Sequence, residues 1–171
     1  MVTKVYETLV DAPVQRVWDF HSNANALRLL TPPDDHIELL SRNLEVRNGA
    51  LHEFRIKKYG RHFIWRARIS DVQAPYTFTD TAERSPFRHW KHVHEFVEDP
   101  QGTIIRDTVT YQAPGLLFSG IINALLVEES LDKLFHYRHK ATHDFLENNQ
   151  RAVINEELVG NAHDHYEPHV T

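Results

Sequence analysis

Between residues 36 and 113 the apolar residues recur at every second position, and nothing of helical period interrupts them. This alternation defines six strand candidates, near 36–46, 50–58, 61–72, 76–83, 87–98 and 103–113. The breaks between them carry turn chemistry. Asn48-Gly49 and Gly60 can supply positive φ, Pro75 and Pro86 interrupt the ladder, and Asp99-Pro100-Gln101-Gly102 suits a type I turn. Consecutive strands joined this tightly must pair antiparallel. Strands twist, so a meander of this length curls and leaves a concave face. One later segment is long enough to cover that face, a helix from about Leu117 to Asn148. Its inner stripe reads Leu117, Ile121, Ala124, Leu131, Leu134, Phe135, Arg138, Thr142, Phe145. At 1.5 Å per residue it would run about 48 Å.

Ahead of the meander, residues 2–10 read as an edge strand, and Asp11 and Pro13 open a helix. Val14, Val17, Trp18 and His21 share one face of that helix. A second short helix is expected over Asn23 to Leu30, stopped by Thr31-Pro32-Pro33. The expected class is α+β: a curved seven-stranded antiparallel sheet wrapped around a long C-terminal helix, with two short helices after the first strand. The expected division is a single domain over 1–150 and a His-bearing tail over 151–171, with His163, His165 and His169.

Composition narrows the functions open to this fold. No cysteine is present, which excludes disulfides, thiolate metal sites and cysteine nucleophiles. A net charge of −5 argues against a nucleic-acid binder. The longest nearly apolar run, Leu116 to Val127, is too short for a membrane span of about 20 residues. The N-terminus begins on a strand pattern rather than a leader, so no membrane insertion and a cytoplasmic location are expected. Three Trp, six Tyr and nine Phe are enough to line a pocket.

Tight turns also set which residues face each other. A two-residue turn at Tyr59-Gly60 opposes Lys58 to Arg61, then Ile56 to Phe63, Phe54 to Trp65 and His52 to Ala67. The Asp99–Gly102 turn opposes Phe96 to Ile105, His94 to Asp107, His92 to Val109 and Trp90 to Tyr111. Both registers gather the aromatic residues on one face, and the second carries His92, His94 and Asp107 with them. Arg138 sits within the helix stripe, where Asp107 or Asp80 could pair with it. The opposite sheet face collects Arg55, Lys57, Arg66, Arg68 and Lys91, as a solvated surface.

Several strings resemble the START-like (SRPBCC) helix-grip superfamily, in particular a bacterial ligand-binding subgroup. They are Trp18-Asp19-Phe20-His21-Ser22, Leu30-Thr31-Pro32-Pro33, Phe63-Ile64-Trp65-Arg66-Ala67-Arg68-Ile69, and the run from Ser85 to Phe96. Arg106-Asp107-Thr108-Val109-Thr110-Tyr111 and Phe135-His136-Tyr137-Arg138-His139 complete the set. The resemblance implies a domain that holds a hydrophobic or amphipathic molecule between sheet and helix; some members are enzymes.

The expected function is therefore binding of such a molecule. Its pocket would be drawn from Trp18, His21, Phe54, Trp65, Phe78, Trp90, His92, His94, Tyr111, Leu131, Phe135 and Arg138. The first alternative is a cyclase, hydratase or isomerase using His94 with Asp107 for proton transfer. The second is a structural or partner-binding domain with a filled core. A cavity of about 300 Å³ or more separates the first two from the third. His92-x-His94 could begin a zinc or iron site completed by Asp107 or His21. Alternation alone places any such pair on one face, so the expectation is a hydrogen-bonded network with no metal and no cofactor.

Overall fold

The computed structural model describes residues 1–58, 60–113 and 120–163. Its strands are β1 (Val2–Val10), β2 (His36–Leu39), β3 (Leu51–Lys58), β4 (Arg61–Gln73), β5 (Thr77–Arg84), β6 (His89–Asp99) and β7 (Gly102–Gln112). Helix α1 is Val14–His21 and helix α2 is Gly120–His163. The seven strands form one antiparallel sheet in the order β1-β7-β6-β5-β4-β3-β2. The first strand thus closes against the last, and the meander runs outward from there.

Both hairpin registers match the expectation pair for pair. Phe54 faces Trp65 and Ile56 faces Phe63, while His94 faces Asp107 and Trp90 faces Tyr111. The turn chemistry explains the second register. Asp99 Oδ1 accepts the Gln101 N–H at 2.9 Å, and Gly102 adopts φ +136°. A Cβ at Gly102 would stand 2.1 Å from the Val10 carbonyl oxygen, so only glycine lets the β6–β7 turn lie this close to the end of β1.

Three elements differ from the sequence expectation. The second short helix is a five-residue 3-10 turn, Ala24–Arg28, capped by the Asn23 side chain. β2 stops at Leu39 rather than continuing to residue 46. Leu40 and Ser41 both donate to the Glu53 carbonyl, and Asn43 bonds the Glu45 N–H, so the backbone leaves the ladder there. Helix α2 continues to His163, past the expected end at Asn148. Apolar periodicity fades after Asn149, but Arg151, Ala152, Glu156, Glu157 and Leu158 are good helix formers and no proline intervenes. Leu117 of the expected stripe, Tyr59, His165 and His169 lie outside the described residues.

Helix α2 crosses the concave face with Leu131, Phe135, Thr142 and Leu146 buried. Phe145, expected inward, is 37% exposed and stacks on Phe20 of α1 at 4.6 Å; Leu146 takes the interior place. The helix is tied to β1 by Tyr6, whose ring stacks on Phe135 at 4.4 Å and whose hydroxyl donates to Asp132. Lys4 pairs with Asp132 at 2.6 Å and Glu128 at 2.9 Å. On the convex face, three of the five basic residues are paired across strands: Arg55 with Glu38, Arg66 with Glu53 and Arg68 with Glu83.

Candidate functional site

Five titratable side chains from three strands and the long helix meet on the concave face. Pairing within β6–β7 sets His92 and His94 beside Asp107, and pairing within β5–β6 sets Asp80 opposite His92. His92 Nε2 donates to Asp107 Oδ1 at 2.8 Å, and His139 Nε2 of α2 donates to Asp107 Oδ2 at 2.8 Å. His94 Nε2 donates to Asp80 Oδ2 at 3.2 Å, and His92 Nδ1 lies 3.2 Å from that same oxygen. Trp90 Nε1 reaches Asp80 Oδ1 at 3.3 Å. The two imidazoles, 3.7 Å apart at their centroids, are thus held between two carboxylates.

One atom does not fit this network. His94 Nδ1 is buried and makes no hydrogen bond. Asp107 Oδ1 is 3.1 Å away, but the ring does not aim at it. The His94 ring is instead laid flat on Phe78, with centroids 4.0 Å apart.

The charges follow from burial working against contact. Burial alone would raise the Asp107 carboxyl, but His139, His92 and His94 hold it well below the usual carboxylate range. Burial opposes ionisation of Asp80 too, and His92 and His94 outweigh it, so this carboxyl is also lowered. Burial would depress His92, yet Asp107 and Asp80 raise it to about 9. Among the described residues His21 has no such partner. Burial lowers it to about 4, against the weaker effect of its hydrogen bond to the Val17 carbonyl.

The cluster forms the polar pole of a cavity of about 740 Å³ between sheet and α2. Phe54, Ile56, Phe63, Trp65, Phe87 and Trp90 line it from the sheet side, and Leu131, Leu134 and Phe135 from the helix. Arg138 also lines it. Burial lowers its pKa, with Asp107 and Asp80 opposing. Its guanidinium stands 5.3 Å from the Phe135 ring and donates to the Leu30 carbonyl at 3.4 Å. Among the described residues no carboxylate pairs with it. The helical side chain that reaches Asp107 is His139, one position further on, so the expected Arg138–Asp107 pairing is corrected.

Of the twelve residues singled out from sequence, His21, Phe54, Trp65, Phe78, Trp90, His92, His94, Leu131, Phe135 and Arg138 line the cavity. Trp18 and Tyr111 do not. Trp18 on α1 packs edge-on to Phe78 and Phe96 in the core at one end, and Tyr111 packs against Phe87. Sequence reasoning missed His139 and His52. His139 follows Phe135 by four residues, so the spacing i, i+4, i+7 through Thr142 carried the signal. His52 is buried with Nε2 on the Glu45 carbonyl at 3.0 Å, and burial lowers its pKa.

A curved sheet gripping one long helix around a cavity of this size defines a helix-grip, START-like domain. Residues 10–134 match the family of polyketide cyclases/dehydrases and lipid transport proteins, and the chain belongs to it. Solved structures share the fold. A Mycobacterium smegmatis protein matches with TM-score 0.66 at 16% identity, over 84% of this chain and 90% of that one. A Nitrosomonas europaea protein matches with TM-score 0.67 at 14% identity, over 88% and 97%. The nucleoside-diphosphate sugar epimerase of Corynebacterium glutamicum matches with TM-score 0.67 at 24% identity, over 88% of this chain but 30% of that larger one. No curated protein matches the chain significantly. Among the described residues no helix is long and apolar enough to cross a membrane.

Proposed function

We propose that the protein binds a small amphipathic molecule in the cavity, with its apolar body against Trp65, Trp90, Phe54 and Leu131 and its polar end toward Arg138. The cavity itself is the observation that carries this reading. Its 740 Å³ is in the range that holds a small organic ligand, whereas a filled core would leave no such volume. Family membership adds support, since the family description includes lipid transport. Arg138 gives the amphipathic character. A guanidinium with no carboxylate partner among the described residues suits a carboxylate or phosphate group, which it can grip with two parallel hydrogen bonds.

Tryptophan fluorescence and calorimetry with fatty acids and aromatic acids test the proposal. Saturable binding is expected, weakened about 3- to 10-fold by Trp65→Ala or Trp90→Ala, the worth of one aromatic contact. Binding that neither substitution alters would place the ligand on the surface.

A second reading, proton-transfer chemistry by His94 oriented by Asp107, is favoured by the buried His94 Nδ1 that no hydrogen bond engages. In this reading His94→Ala abolishes a cyclase, hydratase or isomerase turnover at little cost in stability. A large stability loss with no activity to lose would rule it out.

A further inference from the structure

We propose that Asp80, His92 and His94 form a binding site for a divalent first-row transition ion, of the zinc or iron(II) type, open toward the cavity. The sequence named Asp107 or His21 to complete such a site; the fold supplies Asp80 instead. Asp80 Oδ2 lies 3.2 Å from His92 Nδ1 and 3.2 Å from His94 Nε2, and the three donor atoms lie within 4.8 Å of one another. An ion about 2.1 Å from each ligand separates them by roughly 3.0–3.5 Å. The two His–Asp distances already have that value.

Proton accounting carries the argument further. Two neutral imidazoles, the state that metal ligation requires, own two N–H groups and two lone pairs. Here each ring has one nitrogen 3.2 Å from Asp80 Oδ2 and the other within 3.1 Å of Asp107 Oδ1. All four nitrogens cannot donate unless both rings are charged. With His94 donating to Asp80, its Nδ1 is left buried against Asp107 without a hydrogen bond. An ion on the Asp80 side removes the conflict. It takes the lone pairs of His92 Nδ1 and His94 Nε2, and both remaining N–H groups turn to Asp107. Asp107 then acts as the outer carboxylate that sets the tautomer of two metal-bound histidines. His139 Nε2 holds that carboxylate from the helix side, at 2.8 Å.

The donor set also selects the ion. Two imidazoles with one carboxylate suit zinc or iron(II), whereas magnesium and calcium prefer all-oxygen sites. Three protein ligands leave coordination positions open, and all three line the cavity. The site does not depend on the ligand reading, because it needs only the polar pole. With an ion bound, His94 is a ligand and not a base.

The test uses the full chain with His163, His165 and His169 changed to Ala, which removes the tail imidazoles. Calorimetric titration with Zn²⁺ is expected to show one saturable site, and Zn-edge X-ray absorption two imidazole nitrogens with oxygen. Asp80→Asn and His94→Gln should each weaken binding by about 100-fold or more, and Asp107→Asn by about 10- to 100-fold. Circular dichroism checks folding; where a variant fails to fold, the absorption spectrum of the parent decides. No saturable binding, an ion held by three or more imidazoles, or an affinity indifferent to folded Asp80→Asn or His94→Gln overturns the proposal. Ligand binding that persists in metal-free protein would leave the amphipathic-ligand reading standing when this one fails.

Discussion

Replacing Asp107 with alanine is expected to lower the unfolding free energy by about 3–5 kcal/mol, because it leaves buried polar groups without their partner. Asp107 is the hub of the network: His92 and His139 donate to its two oxygens, and His94 lies 3.1 Å from one of them. A domain of this size loses roughly 2–4 °C of melting temperature per kcal/mol, so the midpoint should fall by about 6–20 °C. His94→Ala removes one partner and leaves the hub in place, so it should cost less, about 1–3 kcal/mol. Thermal and urea melts of both variants, with chelator present to keep metal out of the comparison, give the two numbers. If Asp107→Ala changes stability by less than about 1 kcal/mol, the network does not hold the helix to the sheet.

The hub was legible from the sequence because a four-residue turn sets it. Asp99 and Gly102 determine every pair of β6–β7, and His94 opposite Asp107 follows by counting. The same was true of Phe54 opposite Trp65. Counting fails where the ladder is irregular. The β4–β5 pairing shifts register between Arg66 and Ala67 and again between Ser70 and Gln73, and β5 and β6 pair no closer to their connection than Thr81 with Lys91, so no tight turn there sets Asp80 opposite His92 by counting. It also fails for the rotation of a helix about its axis. One residue turns a helix by about 100°, and this is the difference between Arg138 and His139, and between Phe145 and Leu146. The stacking of Tyr6 on Phe135 and the pairing of Lys4 with Asp132 set that rotation through contacts far apart in sequence. The cavity depends on the distance between sheet and helix, which composition and periodicity do not contain.

Stability in chelator is expected to peak near pH 6–7 and to fall on both sides, for two histidines with opposite environments. His21 lies in the cavity wall with no carboxylate in contact among the described residues, so desolvation drops its folded pKa from the ordinary 6.5 to about 4. As pH falls below 6.5 the unfolded chain takes up this proton first. The His21 contribution is therefore full above 6.5 and lost progressively down to about 4. His92 is displaced the other way, to about 9, by Asp107 and Asp80. The folded state holds that proton longer than the unfolded chain does. Its contribution is full below 6.5 and lost as pH rises toward 9. Each shift is worth on the order of 3 kcal/mol. Asp80 and Asp107, both lowered, add stability that is present above the ordinary carboxylate range and disappears only in stronger acid. Urea unfolding measured from pH 4 to 9 gives the profile. His21→Gln, which carries no titrating group, should flatten the acid limb between pH 6.5 and 4 and leave the alkaline limb in place. An alkaline limb that survives in His92→Gln would show that another group, and not the imidazole held between two carboxylates, loses its proton there.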